Sequence, residues 1–192
     1  MTHDAPLLHG RNPALWRQGA LVLAGTVLIA VAARVSVPMW PVPMTLQGLA
    51  ILVVGLSMGS RLGALTLLAY LAEGAVGLPV FAGGGAGLAY MAGPTGGFLL
   101  GFVAMAWIAG LAARGSLPAM IGASAVAALA LYVPGLAWPY AVASGLGIDA
   151  GWASSEAGAL WAGWMQPFLL GDAIKAVLAA VLVHAGFRAT GR

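Results

Sequence analysis

The sequence predicts an all-α membrane protein of six transmembrane helices, with N- and C-termini cytoplasmic and long outer loops capping a ligand cavity. Composition is the first reason. Of 192 residues, 61% are hydrophobic and 7% charged, where a soluble domain carries roughly 25% charged residues. Thirteen charges (eight Lys and Arg, five Asp and Glu) cannot cover a water-facing surface of this size. The second reason is the recurrence of apolar runs near the roughly 20 residues that a spanning helix needs. The third is the placement of the positive charges, taken up below.

Composition also excludes other classes. Glycine (29) and proline (11) are plentiful, but the apolar content is far too high for disorder. The sequence pI near 9.8 rests on eight scattered basic residues, without the basic stripe a nucleic-acid binder needs. Cysteine is absent, which removes disulfides, Cys-based metal sites and thiol nucleophiles.

Taken in order, helix 1 is expected near 16–33. Arg11 and Arg17 precede it and Ala-Val-Ala-Ala ends it at 30–33, loosely like a signal peptide. The further apolar segments favour a retained span. Residues 1–15 read as a cytoplasmic tail, and 1–192 as one integral membrane domain. Helices 2 and 3 are expected near 45–59 and 62–75. Gly59-Ser60-Arg61 between them favours a hairpin over one broken helix. Helix 4 is expected near 96–113, helix 5 near 117–138 and helix 6 near 167–187.

This map sorts the charges. Six spans and a cytoplasmic N-terminus put Arg11, Arg17, Arg61, Arg114, Arg188 and Arg192 inside and only Arg34 outside, a strong positive-inside bias. Glu73, Asp149 and Glu156 fall in the outer loops. The inner turns are minimal, whereas the outer segments 34–44, 76–95 and 139–166 are long, and function usually sits on the irregular side. Trp40, Trp138, Trp152, Trp161 and Trp164 lie on or near that side. They read as an interfacial aromatic belt or as an apolar wall for a ligand entering from outside.

The sharpest candidate site is Pro167-Phe168-Leu169-Leu170-Gly171-Asp172-Ala173-Ile174-Lys175 at the start of helix 6. Pro167 suits a first helical turn. Asp172 and Lys175 then lie roughly 8 and 12 Å below the outer end, three residues apart and on one face. Lys175 is the only lysine. The pair either neutralises itself or forms a binding site, the usual meaning of intramembrane charge. A carboxylate that only accepts, beside an ammonium with three donors, suits a neutral amide-like or ureido ligand.

Residues 34–45 hold three prolines, making the segment extended and stiff. It reads as a wall or lid over a site, or as an ordinary outer loop. Thr45 and Gln47 follow at the mouth of helix 2. Residues 78–98 are rich in glycine, permitting close approach to a ligand or a mobile cap, or serving as a connector. Phe81, Tyr90 and Thr95 are its candidate side chains. The segment is no nucleotide loop, because no G-x-x-x-x-G-K-[ST] occurs. In helix 1, Ala20 and Ala24 have small-xxx-small spacing, for packing against the protein's own helices or a partner. His3 and His9 lie in the tail, and His184 stands about 14 Å along helix 6 from Lys175. No metal-ligand spacing and no nucleophile–base pair is present.

Four motifs in order resemble one family. They are Ser-Val-Pro-Met-x-Pro-Val-Pro-Met-Thr-x-Gln (36–47), Gly-Leu-Pro-Val-Phe (77–81), Gly-Pro-Thr-Gly-Gly-Phe (93–98) and Pro-Phe-Leu-x-Gly-Asp-x-x-Lys (167–175). From about Arg34 to the C-terminus the chain is similar to BioY, the biotin-binding S component of energy-coupling-factor (ECF) vitamin transporters. The resemblance implies a multi-pass protein of the bacterial cell membrane, not an enzyme, that needs no cofactor. It implies a cavity open to the outer side, with the first and third loops near it and Asp172 and Lys175 contacting biotin. It implies as partners a transmembrane coupling protein and ATPase subunits, with helix 1 small residues, here Ala20 and Ala24, as the contact. Arg34 is one candidate for the biotin carboxylate, and the role of Glu73 stays open. The alternatives are an S component for another vitamin and a membrane enzyme, for which Asp172 and Lys175 are the only acid–base candidates.

Overall fold

The computed structural model describes residues 13–145 and 150–191. Arg11, Asp149, Arg192, His3 and His9 therefore lie outside the described residues. Among the described residues, six helices of twelve or more residues make up most of the fold: α1 (Pro13–Ala32), α2 (Gln47–Met58), α3 (Ser60–Ala75), α5 (Gly96–Gly110), α6 (Leu117–Ser144) and α8 (Leu169–Ala189). Between α1 and α2, strands β1 (Ser36–Val37) and β2 (Met44–Thr45) pair antiparallel, Ser36 opposite Thr45. A 3₁₀ turn (Ala82–Gly84) and α4 (Gly87–Met91) lie between α3 and α5. The short α7 (Ala157–Leu160) runs into α8 through a π turn (Trp161–Met165) and a 3₁₀ turn (Gln166–Phe168).

Small residues let the helices approach. Gly59 separates α2 from α3 at φ +81°, a conformation that glycine adopts without penalty. The two helices fold back on each other, and a Cβ on Gly63 would lie 3.1 Å from Gly55 Cα. Helix α5 crosses this hairpin so closely that a Cβ on Gly55 would lie 2.5 Å from the Ala106 carbonyl oxygen. At the far end of α5, a Cβ on Gly110 would lie 2.3 Å from Ser60 N. Helix α1 packs on α2 and α3, while α6 packs on α5 and α8, and α8 also lies along α2. Ile29, Ile51, Leu52, Leu56, Leu67, Tyr70, Met105 and Met120 are buried between them.

The outer surface is apolar too. Leu23, Val27 and Val31 of α1, Leu65 and Leu68 of α3, Val126, Leu129 and Val133 of α6, and Val177, Val181 and Leu182 of α8 are exposed. An apolar surface of this extent is suited to hydrocarbon rather than water. Among the described residues, three helical runs, Leu15–Ala32, Leu117–Ser144 and Ala157–Ala189, are long and apolar enough to cross a membrane. Gln47–Met58 and Gly96–Gly110 are apolar but shorter.

Two boundaries differ from the sequence expectation. Helix α6 does not stop at 138 but continues to Ser144, with Pro134 and Pro139 inside it. Each proline removes one backbone hydrogen bond. Pro134 is accommodated because its ring meets bare backbone on α5, where a Cβ on Gly101 would lie 2.9 Å from Pro134 Cγ. The expected outer loop 139–166 is correspondingly shorter. It is helical again from Ala157, so Pro167 stands inside a bent helical run rather than at a helix start. The missing Pro167 N–H coincides with the change from π to 3₁₀ winding, a recognised way to interrupt the i→i−4 ladder.

Candidate functional site

One cavity gathers the N-terminal ends of α2, α5 and α8, the C-terminal half of α6 and the loops beside them. Its volume is about 70 Å³, several times the 10–15 Å³ needed to hold one water. The loop before β2 contributes Val42 and Pro43, β2 contributes Met44 and Thr45, and α2 contributes Gln47 and Gly48. The third loop supplies Ala82, Tyr90 and Thr95, α5 supplies Phe98, Leu99 and Phe102, and α6 supplies Leu131 and Tyr132. Phe168, Asp172 and Lys175 complete the lining. The wall is mostly aliphatic and aromatic, with few polar groups, as small-molecule sites usually are.

Those polar groups are organised. Lys175 Nζ donates to Asp172 Oδ1 at 3.0 Å. The Tyr132 hydroxyl donates to Asp172 Oδ2 at 2.6 Å. The Lys175 and Asp172 side chains are 11% and 16% exposed, so the charges pair largely out of water. The lysine stem crosses the bare face of α2, where a Cβ on Gly48 would lie 3.5 Å from Lys175 Cδ. Among the described residues, Lys175 Nζ makes this one hydrogen bond, which leaves two N–H donors. Each Asp172 oxygen keeps a free lone pair. The site thus offers donors and acceptors side by side on an apolar wall.

A second polar chain runs outward from the opposite wall. The Thr45 hydroxyl donates to Gln47 Oε1 at 3.1 Å, and Gln47 N–H donates to Thr45 Oγ1 at 3.2 Å. Gln47 Nε2 donates to the Tyr70 oxygen, and the Tyr70 hydroxyl donates to the Val80 carbonyl, both at 2.8 Å. Burial pushes the Tyr90 phenol above its ordinary value, partly opposed by Thr95 beside it. Tyr90 is therefore a neutral donor at ordinary pH, here toward the Ala82 carbonyl at 3.3 Å.

The structure brings Asp172, Lys175, Thr45, Gln47, Tyr90 and Thr95 to one cavity. It does not bring Phe81 or Arg34 to the lining. The Phe81 ring is fully buried behind it, stacked on Tyr90 at 5.2 Å and edge-on to Tyr70 at 5.6 Å. Arg34 reaches sideways and donates to the Pro79 carbonyl, so it braces the third loop. Ala20 and Ala24 are exposed on α1, whereas the inward face of that helix is Gly25, Thr26, Ile29 and Ala33. Glu73, at the end of α3, is half-buried and away from the cavity. Trp40 and Trp161 are exposed, while Trp164 is buried and stacks on Phe98 at 6.2 Å. Trp138 donates from Nε1 to the Gly93 carbonyl at 3.0 Å, tying the loop before α5 to α6.

Sequence reasoning missed Tyr132, together with the apolar lining from α5 and α6. Tyr132 stands forty residues from Asp172, so no spacing rule joins them. The available signal was a phenol in the middle of a long apolar helix, since a buried Tyr hydroxyl generally finds a partner.

A sequence model of the BioY family matches residues 5–192. The probable biotin transporter BioY of Pyrococcus horikoshii is 35% identical over 168 residues, covering 88% of this chain and 94% of that protein. The biotin transporter BioY of Rhizobium etli is 36% identical over 181 residues, covering 86% of this chain and 89% of that protein. Among solved structures, the S-component for biotin from an ECF-type ABC transporter superposes with a TM-score of 0.74 at 22% identity. The superposition covers 94% of this chain and 95% of that one.

Proposed function

The chain belongs to the BioY family, and on that premise we propose that it is the biotin-binding membrane subunit of an ECF-type uptake transporter. The observation that carries this reading is the Lys175–Asp172–Tyr132 cluster set in an apolar cavity. A ureido ring presents one carbonyl acceptor between two N–H donors. The free N–H groups of Lys175 suit the carbonyl, and the open lone pairs of Asp172 suit an N–H. Phe98, Phe102, Leu131 and Phe168 offer the apolar contact that a sulfur-containing ring and an alkyl chain need. Thr45, Gln47, Tyr90 and Thr95 supply further polar contacts from the walls. Phe81 and Arg34 act from behind the lining by holding the third loop.

The same reading makes residues 1–192 one integral membrane domain. The six main helices are its membrane segments, both termini are cytoplasmic, and the loops around the cavity face outward. The charge distribution supports this orientation. The exposed Ala20–Ala24 face of α1 is the contact for a transmembrane coupling protein, with ATPase subunits beyond it. In a bacterial host the membrane is the cell membrane.

The test is a binding panel on purified protein in lipid nanodiscs, with labelled biotin, thiamine and riboflavin. Saturable one-to-one binding of biotin alone is expected. Tighter binding of thiamine or riboflavin would reassign the ligand, and binding of none would remove the reading.

A further inference from the structure

Tyr132 and Asp172 line two spaces at once. One is the cavity described above. The other is a groove of about 200 Å³ between α6 and α8, floored by four alanines (Ala125, Ala128, Ala173 and Ala176). Tyr132 and Asp172 are its only polar side chains among the described residues. Leu129, on the groove's rim, is exposed on the outer apolar surface. The groove therefore faces hydrocarbon, and the Tyr132–Asp172 hydrogen bond stands between it and the cavity.

A carboxylate at such a boundary is under a specific threat. If one of its oxygens turned toward the groove, it would lose hydrogen-bonding partners in an apolar medium, which is strongly unfavourable. Lys175 restrains Oδ1 only. The second oxygen is held by the Tyr132 hydroxyl. The Tyr132 ring is itself fixed, edge-on to Phe98 at 6.2 Å, so the donor does not wander. We infer that Tyr132 is a positioning residue: it locks the Asp172 carboxylate toward the ligand cavity and closes that cavity against the lipid-facing α6–α8 groove. This rests on the biotin reading for its ligand, but not for its geometry.

The test uses the full chain in nanodiscs and two readouts. In the first, Tyr132→Phe removes only the hydroxyl and keeps the ring. It is expected to lower biotin affinity about tenfold in the parent, the scale of a hydrogen bond to a charged group, and less than twofold in an Asp172→Asn background. A residue that merely packs would give equal losses in both backgrounds, and that result overturns the proposal. In the second, ligand-free protein is treated with dicyclohexylcarbodiimide, an apolar carboxyl reagent delivered from the bilayer, and Asp172 modification is followed by mass spectrometry. Tyr132→Phe is expected to speed labelling at least threefold. Unchanged labelling overturns the partition whether or not the parent binds biotin. A parent that fails to bind biotin while labelling rises removes the functional reading alone.

Discussion

Replacing Lys175 by methionine, Asp172 by asparagine, and both together separates the structural role of the charge pair from its ligand role. At 3.0 Å and an effective dielectric of 20, the attraction is about 5 kcal/mol. Withdrawing two ions from water costs several kcal/mol each, so the intact pair adds little net stability to the fold. Breaking it is different, because a lone buried charge costs about 3–5 kcal/mol. The two single variants are not equivalent. Lys175→Met leaves a carboxylate still held by Tyr132 and should fall near the low end of that range. Asp172→Asn leaves an ammonium without an anionic partner and should fall near the high end. With roughly 2–4 °C per kcal/mol for a chain of this size, thermal unfolding of ligand-free protein in one detergent should drop by about 6–12 °C for Lys175→Met and by more for Asp172→Asn. The double variant should recover most of that loss, yet bind biotin at least a hundredfold more weakly than the parent. Losses that simply add in the double variant would refute the coupling. A double variant with parental affinity would refute the ligand role.

Four further outcomes follow from the packing. Phe81→Ala empties a fully buried site against Gly74, where a Cβ would lie 1.9 Å from the ring. It should cost about 3–5 kcal/mol and weaken biotin binding through Tyr90, although Phe81 does not touch the cavity; a titration that matches the parent contradicts this. Gly110→Ala drives a Cβ into the α2–α3 turn, 2.3 Å from Ser60 N, and should cost about 1–3 kcal/mol in a thermal melt. Gly19→Ala, with nothing within 4 Å, should leave stability unchanged or raise it by up to about 1 kcal/mol. Ser124 is fully buried, and its Oγ finds no hydrogen-bond partner among the described residues; Ser124→Ala should be neutral or stabilising by about 1 kcal/mol, and a clear loss would reveal a partner.

What the sequence disclosed was local. Apolar run length located the starts of the long helices within a few residues, and Gly59 marked the turn where α2 folds onto α3. The three-residue spacing of Asp172 and Lys175 was enough to place them on one face, where they pair. What it concealed depended on partners far along the chain. The run expected to end near 138 continues through Pro139, and α6 reaches Ser144. Phe81 sat in the loop that supplies Ala82 and Tyr90 to the cavity, but a bare Gly74 on α3 drew its ring inward. Tyr132 found its acceptor on a helix forty residues away. Arg34 turned to a loop carbonyl, which no local pattern records.

The brevity of α2 has a consequence for transport distance. Its twelve residues span at most about 18 Å, whereas a bilayer's hydrocarbon core is about 30 Å thick. The cavity sits at the N-terminal end of this helix, on Gln47 and Gly48. With the inner end of α2 at the cytoplasmic edge of the core, a molecule resting there would lie about 12 Å below the outer edge without any input of work from a partner. An ATP-driven module would need to complete only the remaining stretch, and a thinner host bilayer would shorten the descent to the site while leaving that stretch unchanged.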